Sequence, residues 1–183
     1  DLKPKVRQKR YIELDGEGKR IYEKLRTNAL AIVEDSTISY NNKLTEIIKL
    51  HQVCNGFTKN DDGEIMTLHN SKVNALDEIL EETDGKVIIW ANYIYNIKQL
   101  IDFLEKKYGK ESVVSIYGAV DVQSRKEAVK RIQEDPNTRF LVGNPTTGGF
   151  GLTLTAVNTV IYFSNNYNLE VRKQSEDRAH KMG

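Results

Sequence analysis

Four short apolar runs, separated by stretches of helical period, constrain this chain more than any other feature. The runs are Lys86–Ala91, Ser112–Tyr117, Arg139–Val142 and Thr159–Phe163, each with the length and boundaries of a buried strand. Tyr93–Tyr108 carries Ile94, Ile97, Leu100, Ile101 and Leu104 on one helical face. Ser124-Arg125-Lys126-Glu127 reads as a capping box, opening a helix through Ala128, Val129 and Ile132 that stops before Pro136. Ser71 can cap an earlier helix through Val73, Leu76, Ile79 and Leu80, and a last helix starts near Asn168. Strands alternating with helices predict an α/β fold: a mainly parallel sheet, helices on both faces, right-handed crossovers.

The front of the chain follows another rhythm. Lys5–Leu14 alternates loosely and could be extended, and Asp15-Gly16-Glu17-Gly18 reads as a turn. Helical stripes follow over Lys19–Asp35 and Asn41–Val53, the second closed by Asn55-Gly56. Lys59–Gly63 reads as a polar turn and Glu64–His69 as a short strand. The expected division is an N-terminal helical extension, residues 1–70, and a sheet domain, residues 71–183. A chain of 183 residues, 39% hydrophobic and 29% charged, is large enough to bury a core. No apolar run approaches membrane-spanning length, no signal peptide is visible, and the start at Asp1 predicts a fragment. Cys54 is the only cysteine, which excludes an internal disulfide and suits a reducing compartment. Net charge is +1, yet Lys3, Lys5, Arg7, Lys9 and Arg10 crowd the first ten residues, either as a solvated arm or as a phosphate-contacting segment.

Two stretches invite a functional reading. Val142-Gly143-Asn144-Pro145-Thr146-Thr147-Gly148-Gly149-Phe150-Gly151 leaves a strand and enters a loop of little side-chain bulk. Such a loop brings backbone N–H groups close to a phosphate or ribose, or else it is only a tight turn. Gln174, Arg178 and Lys181 are spaced four and three apart, so they share one helical face: an anion site or a solvated polar face. His180 has no second His or Cys spaced for a metal.

Taken together, Thr147–Ala156, Val160–Phe163 and Gln174–Gly183 resemble motifs V and VI of the Swi/Snf-type ATPases among the superfamily-two helicases. Asn165-Asn166-Tyr167-Asn168 is similar to the turn before motif VI, and Lys86–Ala91 to motif IV. Tyr117-Gly118 with Arg125 resembles the segment between motifs IV and V. Leu2-Lys3-Pro4-Lys5 is similar to the inter-lobe linker, and Leu44–Gly56 to the helix carrying Arg-Gln-x-Cys-Asn.

The resemblance implies a RecA-like helicase C-terminal lobe, truncated after motif VI, within a bacterial or phage DNA translocase. ATP would bind between this lobe and an N-terminal RecA-like lobe that holds Mg2+, and double-stranded DNA would be the other partner; no membrane is expected. By resemblance, Arg178 is an arginine finger, Gln174 orients it, and Lys181 stands where the family has a second arginine. Gly149 and Gly151 would approach nucleotide or DNA by backbone; Asn92, Gly118, Arg125, Thr146 and Thr147 would meet the DNA backbone. No Gly-x-x-x-x-Gly-Lys-Ser/Thr is present, so the lobe alone should be inactive. The implied setting is the bacterial cytoplasm or the infected host, or the nucleus of a eukaryote. Two departures stand out: Lys181 lacks the planar fork, and Gly18 sits where the family tends to carry glutamine. The family also continues past this point with a further strand, without which a sheet edge stays unpaired. The rival readings are a non-catalytic DNA-binding or scaffolding module on the same fold and a small-molecule enzyme holding a phosphate cofactor. The second lacks Gly-x-Gly-x-x-Gly after a first strand.

Overall fold

The computed structural model describes residues 4–14, 16–34, 39–60, 62–147, 154–166 and 168–179. The chain forms two compact units, residues 9–78, and residues 1–8 with 79–183.

In the first unit, α1 (Gly16–Glu34) and α2 (Tyr40–Cys54) pack together, and β1 (Phe57–Lys59) pairs antiparallel with β2 (Ile65–Thr67). The expected turn at 15–18 is a helix start instead: Gly16 opens α1 and Gly18 lies buried in its first turn, while Asp15 is outside the described residues. A Cβ on Gly18 would stand 2.3 Å from the His69 ring, which gives this position a packing reason to be glycine. His69 in turn bonds the Val53 carbonyl through Nε2 at 2.8 Å. α2 is capped by Ser39, whose side chain accepts from the Asn42 amide, and it ends at Asn55 with Gly56 at φ +86°. Residues 4–14 adopt no regular secondary structure.

α3 (Ser71–Glu81) takes Ser71 as its first helical residue rather than as its cap, and runs across the division between the units. The second unit is built on β3 (Lys86–Trp90), α4 (Ile94–Tyr108), β4 (Val113–Ile116), α5 (Val122–Glu134), β5 (Phe140–Gly143), β6 (Val157–Tyr162) and α6 (Leu169–Ala179). The strands form one parallel sheet in the order β4-β5-β3-β6. β3 lies inside it, and four of its five residues are fully buried, as a strand covered on both faces requires.

Side chains alternate between the two faces. Ile88, Trp90, Val114, Ile116 and Leu141 join Ala128 and Ile132 of α5, with Ala179 of α6 against them. Phe140 points to the opposite face, where its ring lies 4.9 Å from Tyr108 at the end of α4. Ile97, Leu100 and Leu104 of α4 are fully buried. Burying such a side chain contributes roughly 1.5–3 kcal/mol relative to leaving it exposed. The expected layering, helices on both faces of a parallel sheet, is therefore present.

The start of α5 differs from expectation. Asp121, not Ser124, is the N-cap: it accepts from the Ser124 amide at 2.9 Å and from the Ser124 hydroxyl at 2.6 Å. A carboxylate placed one turn earlier outcompetes a hydroxyl, because it accepts both donors and carries a negative charge toward the positive end of the helix. Those hydrogen bonds from Ser124 hold the Asp121 carboxyl below its ordinary pKa.

Candidate functional site

In a parallel sheet all carboxyl ends lie at one edge, and that edge is where α/β folds bind ligands. Here the edge is formed by residues that follow Trp90, Ile116, Gly143 and Tyr162. Gly143 permits its closest packing: a Cβ there would stand 2.5 Å from the Ile116 carbonyl oxygen and 3.1 Å from the Trp90 ring. Only a residue without a side chain lets β4, β5 and the Trp90 indole converge at this point.

The next residue, Asn144, ties the edge together. Its amide donates to the Ile116 carbonyl at 3.0 Å, its Nδ2 donates to the Asn92 carbonyl at 3.1 Å, and its Oδ1 accepts from the Thr146 amide at 2.9 Å. One side chain thus joins the loops after β3 and β5 and starts the turn that carries Thr146. The Asn92 amide also donates to the Ser164 hydroxyl at 2.8 Å, which links the loop after β3 to the one after β6. Sequence reading passed over Asn144; the signal was there in Asn-Pro directly after a strand, a turn-initiating pair.

Asn92, Gly118, Arg125, Thr146 and Thr147 all stand at this edge or at the adjoining start of α5. Gly118 and Thr146 are exposed, whereas Asn92, Arg125 and Thr147 are half-buried. Gly118 has open space where a side chain would project. Arg125 folds back: Nη2 lies 3.4 Å from the Tyr117 carbonyl and 3.3 Å from the Gly118 carbonyl, so part of its fork braces the loop after β4. α4 begins just after Asn92, at the carboxyl end of β3, so the positive end of that helix lies at the edge.

α6 is held against β6 by a compact set of contacts. The Arg172 guanidinium sits 3.6 Å above the Tyr162 ring, Tyr162 Oη bonds the Arg172 carbonyl at 3.2 Å, and the buried Ser175 hydroxyl bonds the Tyr162 hydroxyl. Asn168 opens the helix by accepting from the amides of Glu170 and Val171 at 3.0 and 3.2 Å. Gln174 is exposed and donates to Glu170 at 3.0 Å. Glu176 accepts from Arg172 at 2.9 Å and from Arg7 at 2.8 Å. Burial pushes its carboxyl pKa up, but the hydrogen bonds and charges of the two guanidiniums outweigh that and hold it below the ordinary glutamate value. Arg178 belongs to the last turn of α6. Lys181, Gly149 and Gly151 lie outside the described residues, as does Tyr167.

Residues 71–183 match the family model described as the helicase conserved C-terminal domain. The chain belongs to that family. An uncharacterized ATP-dependent helicase of Mycoplasma pneumoniae is 31% identical over the whole chain, and the chain spans 18% of its length. The C-terminal part of the Fun30 ATPase domain superposes with a TM-score of 0.79 at 21% identity, covering 100% of this chain and 82% of that one. The Sulfolobus solfataricus SWI2/SNF2 ATPase core, solved in complex with double-stranded DNA, gives a TM-score of 0.73 at 24% identity, over 94% of this chain and 37% of that one. Both likenesses show the fold, that of a RecA-like helicase C-terminal lobe.

In this helicase lobe, the family match takes in both the edge around Asn144 and the helix carrying Arg178. Among the described residues, no group of three His, Cys, Asp or Glu side chains is placed to hold a metal, and no helix is long and apolar enough to cross a membrane.

Proposed function

We propose that this chain is the second motor lobe of a double-stranded DNA translocase driven by ATP hydrolysis. Two surfaces divide the work. α6 presents Arg178, with Gln174 beside it, to the triphosphate in the cleft shared with an N-terminal lobe. The carboxyl edge of the sheet, with Asn92, Gly118, Arg125, Thr146 and Thr147, meets the DNA backbone. Mg2+ enters with ATP and is held by the first lobe. The observation that carries this reading is the helicase C-terminal family match over residues 71–183, which spans both surfaces at once.

The chemistry follows from the residue types. A guanidinium stabilises the charge that develops on the transferring phosphoryl group, and it does so best when its carrier is rigid. The stacking of Arg172 on Tyr162 and the buried Ser175 hydroxyl supply that rigidity within the two turns before Arg178. Gly149 and Gly151 let the backbone approach nucleotide or DNA. Lys181 adds a point charge rather than a second fork. At the edge, exposed hydroxyls, backbone amides and the start of α4 are groups that position phosphates without reading bases. With a net charge of +1, the DNA affinity of the lone lobe should be weak and should fall strongly with salt. For the source we favour a bacterium or a phage, and the Mycoplasma helicase among the relatives supports the bacterial half of that reading.

Thr146→Glu tests the DNA edge. A carboxylate placed among phosphate contacts should raise the DNA concentration for half-maximal ATPase stimulation in the intact protein by roughly tenfold. Turnover at saturating DNA should stay near wild type, because in this reading Thr146 meets the duplex and not the triphosphate. An unchanged half-maximal DNA concentration would show that the duplex passes elsewhere.

A further inference from the structure

The basic arm at the front of the chain returns to the far end of it. Lys5 Nζ lies 2.6 Å from Asp177 Oδ1, and Arg7 Nη2 lies 2.8 Å from Glu176 Oε2. The paired residues are 172 and 169 positions apart in sequence. Glu176 is shared: Arg172 Nε donates to its other oxygen at 2.9 Å, and Arg172 stacks on Tyr162 of β6. The Glu176 side chain is only 15% exposed, whereas Arg7 reaches it from solvent at 70%. The contacts therefore run in series from the arm, through Glu176 and Arg172, to the sheet. Asp177 and Glu176 are the two residues immediately before Arg178. An isolated surface ion pair fixes little. Two adjacent pairs on one turn, one of them on a carboxylate already held by a second guanidinium, restrain both the rotation of that turn and its distance from the arm.

We propose that Lys5 and Arg7 are positioning residues for the phosphate-facing turn of α6: by holding Asp177 and Glu176 they set where Arg178 is presented. The inference rests on the reading of Arg178 as the residue that meets the triphosphate. Neither arm residue touches nucleotide, and their effect passes through the helix. Loss of the arm contacts lets the last turn of α6 rotate or fray, which lowers the fraction of molecules with Arg178 in place. Such a loss lowers kcat and leaves ATP binding by the other lobe and DNA binding by the sheet edge in place.

The test uses steady-state ATPase of the intact protein at saturating double-stranded DNA, with thermal midpoints measured alongside. Lys5→Glu and Asp177→Lys should each lower kcat about three- to fivefold, with KM for ATP within about twofold of wild type and the midpoint within ~2 °C. The exchanged pair Lys5→Glu/Asp177→Lys should return to within about twofold of wild type, the signature of direct coupling. Arg7→Ala should lower kcat similarly and Arg7→Lys should restore part of it. Single variants at wild-type kcat, an exchanged pair no better than the worse single, or a kcat loss that tracks a falling midpoint would each overturn the proposal. Arg178→Ala is assayed in the same series. If it turns over like wild type, the finger assignment fails; if it is inactive while every arm variant matches wild type, only the role of the arm fails.

Discussion

Arg178→Ala should cut DNA-stimulated ATP turnover of the intact protein by roughly a thousand-fold or more, the scale associated with arginine fingers. It should leave DNA affinity largely unchanged, because the guanidinium acts on phosphate in the cleft and not on the duplex. Lys181→Ala should cost less: a flexible ammonium makes fewer fixed bonds than a planar fork. Lys181→Arg should match or exceed wild type if the second position also faces the triphosphate. The measurement is kcat at saturating DNA for the three variants. Wild-type turnover in Arg178→Ala with a dead Lys181→Ala would invert the two roles. Wild-type behaviour in all three would leave α6 as an ordinary polar surface helix.

The second large effect is on stability. Gly143→Val places a branched side chain where even a single Cβ would stand 2.5 Å from the Ile116 carbonyl oxygen and 3.1 Å from the Trp90 ring. The backbone oxygen belongs to a neighbouring strand and the indole is fully buried, so neither can yield without moving the sheet. Overpacking of this kind costs about 1–3 kcal/mol, and a branched residue against backbone belongs at or above the upper end. For a chain of this size that corresponds to a fall in thermal midpoint of ~6–12 °C. Gly143→Ala should show a smaller fall in the same direction. A midpoint within ~1 °C of wild type for Gly143→Val would mean that β4, β5 and Trp90 do not converge as described.

How much of this was legible depended on the range of the interaction. Strands β3 to β6 and helices α3 to α6 were visible because each carries its own pattern: runs such as Val87-Ile88-Ile89-Trp90 need no partner to be recognised. Their ends were displaced by one or two residues, and the α5 cap was misassigned because Ser124 offered a complete local motif while Asp121 offered a better acceptor. β1 was missed: Phe57 and Thr58 received no assignment and Lys59 was placed in a turn, because its three residues directly follow a helix end and leave too short a run to show alternation. The turn expected at 15–18 became a helix start in which Gly18 packs on His69, a residue some fifty positions away. The arm showed the same limit more strongly. Its charges suggested either solvent or phosphate, but in the structure Lys5 and Arg7 pair with carboxylates of α6 at the other end of the chain.

The candidate site was legible in part for the same reason. Gln174 and Arg178 were singled out by helical spacing and by resemblance; the structure places both in α6, and their role is proposed. Asn144 was not, because its importance lies in what it joins: the carbonyls of Ile116 and Asn92 and the amide of Thr146. Arg125 was assigned to DNA on position alone, and the structure adds its hydrogen bonds to the loop after β4, so part of its donor set is already in use.

The central claim is that this lobe completes an ATPase site it cannot form alone. Its most direct test is steady-state ATP hydrolysis by purified residues 1–183 and by the intact protein, each with and without double-stranded DNA. The account predicts background hydrolysis for residues 1–183 under both conditions and DNA-stimulated turnover for the intact protein. DNA-stimulated hydrolysis by residues 1–183, or an intact protein whose turnover ignores DNA, would contradict it.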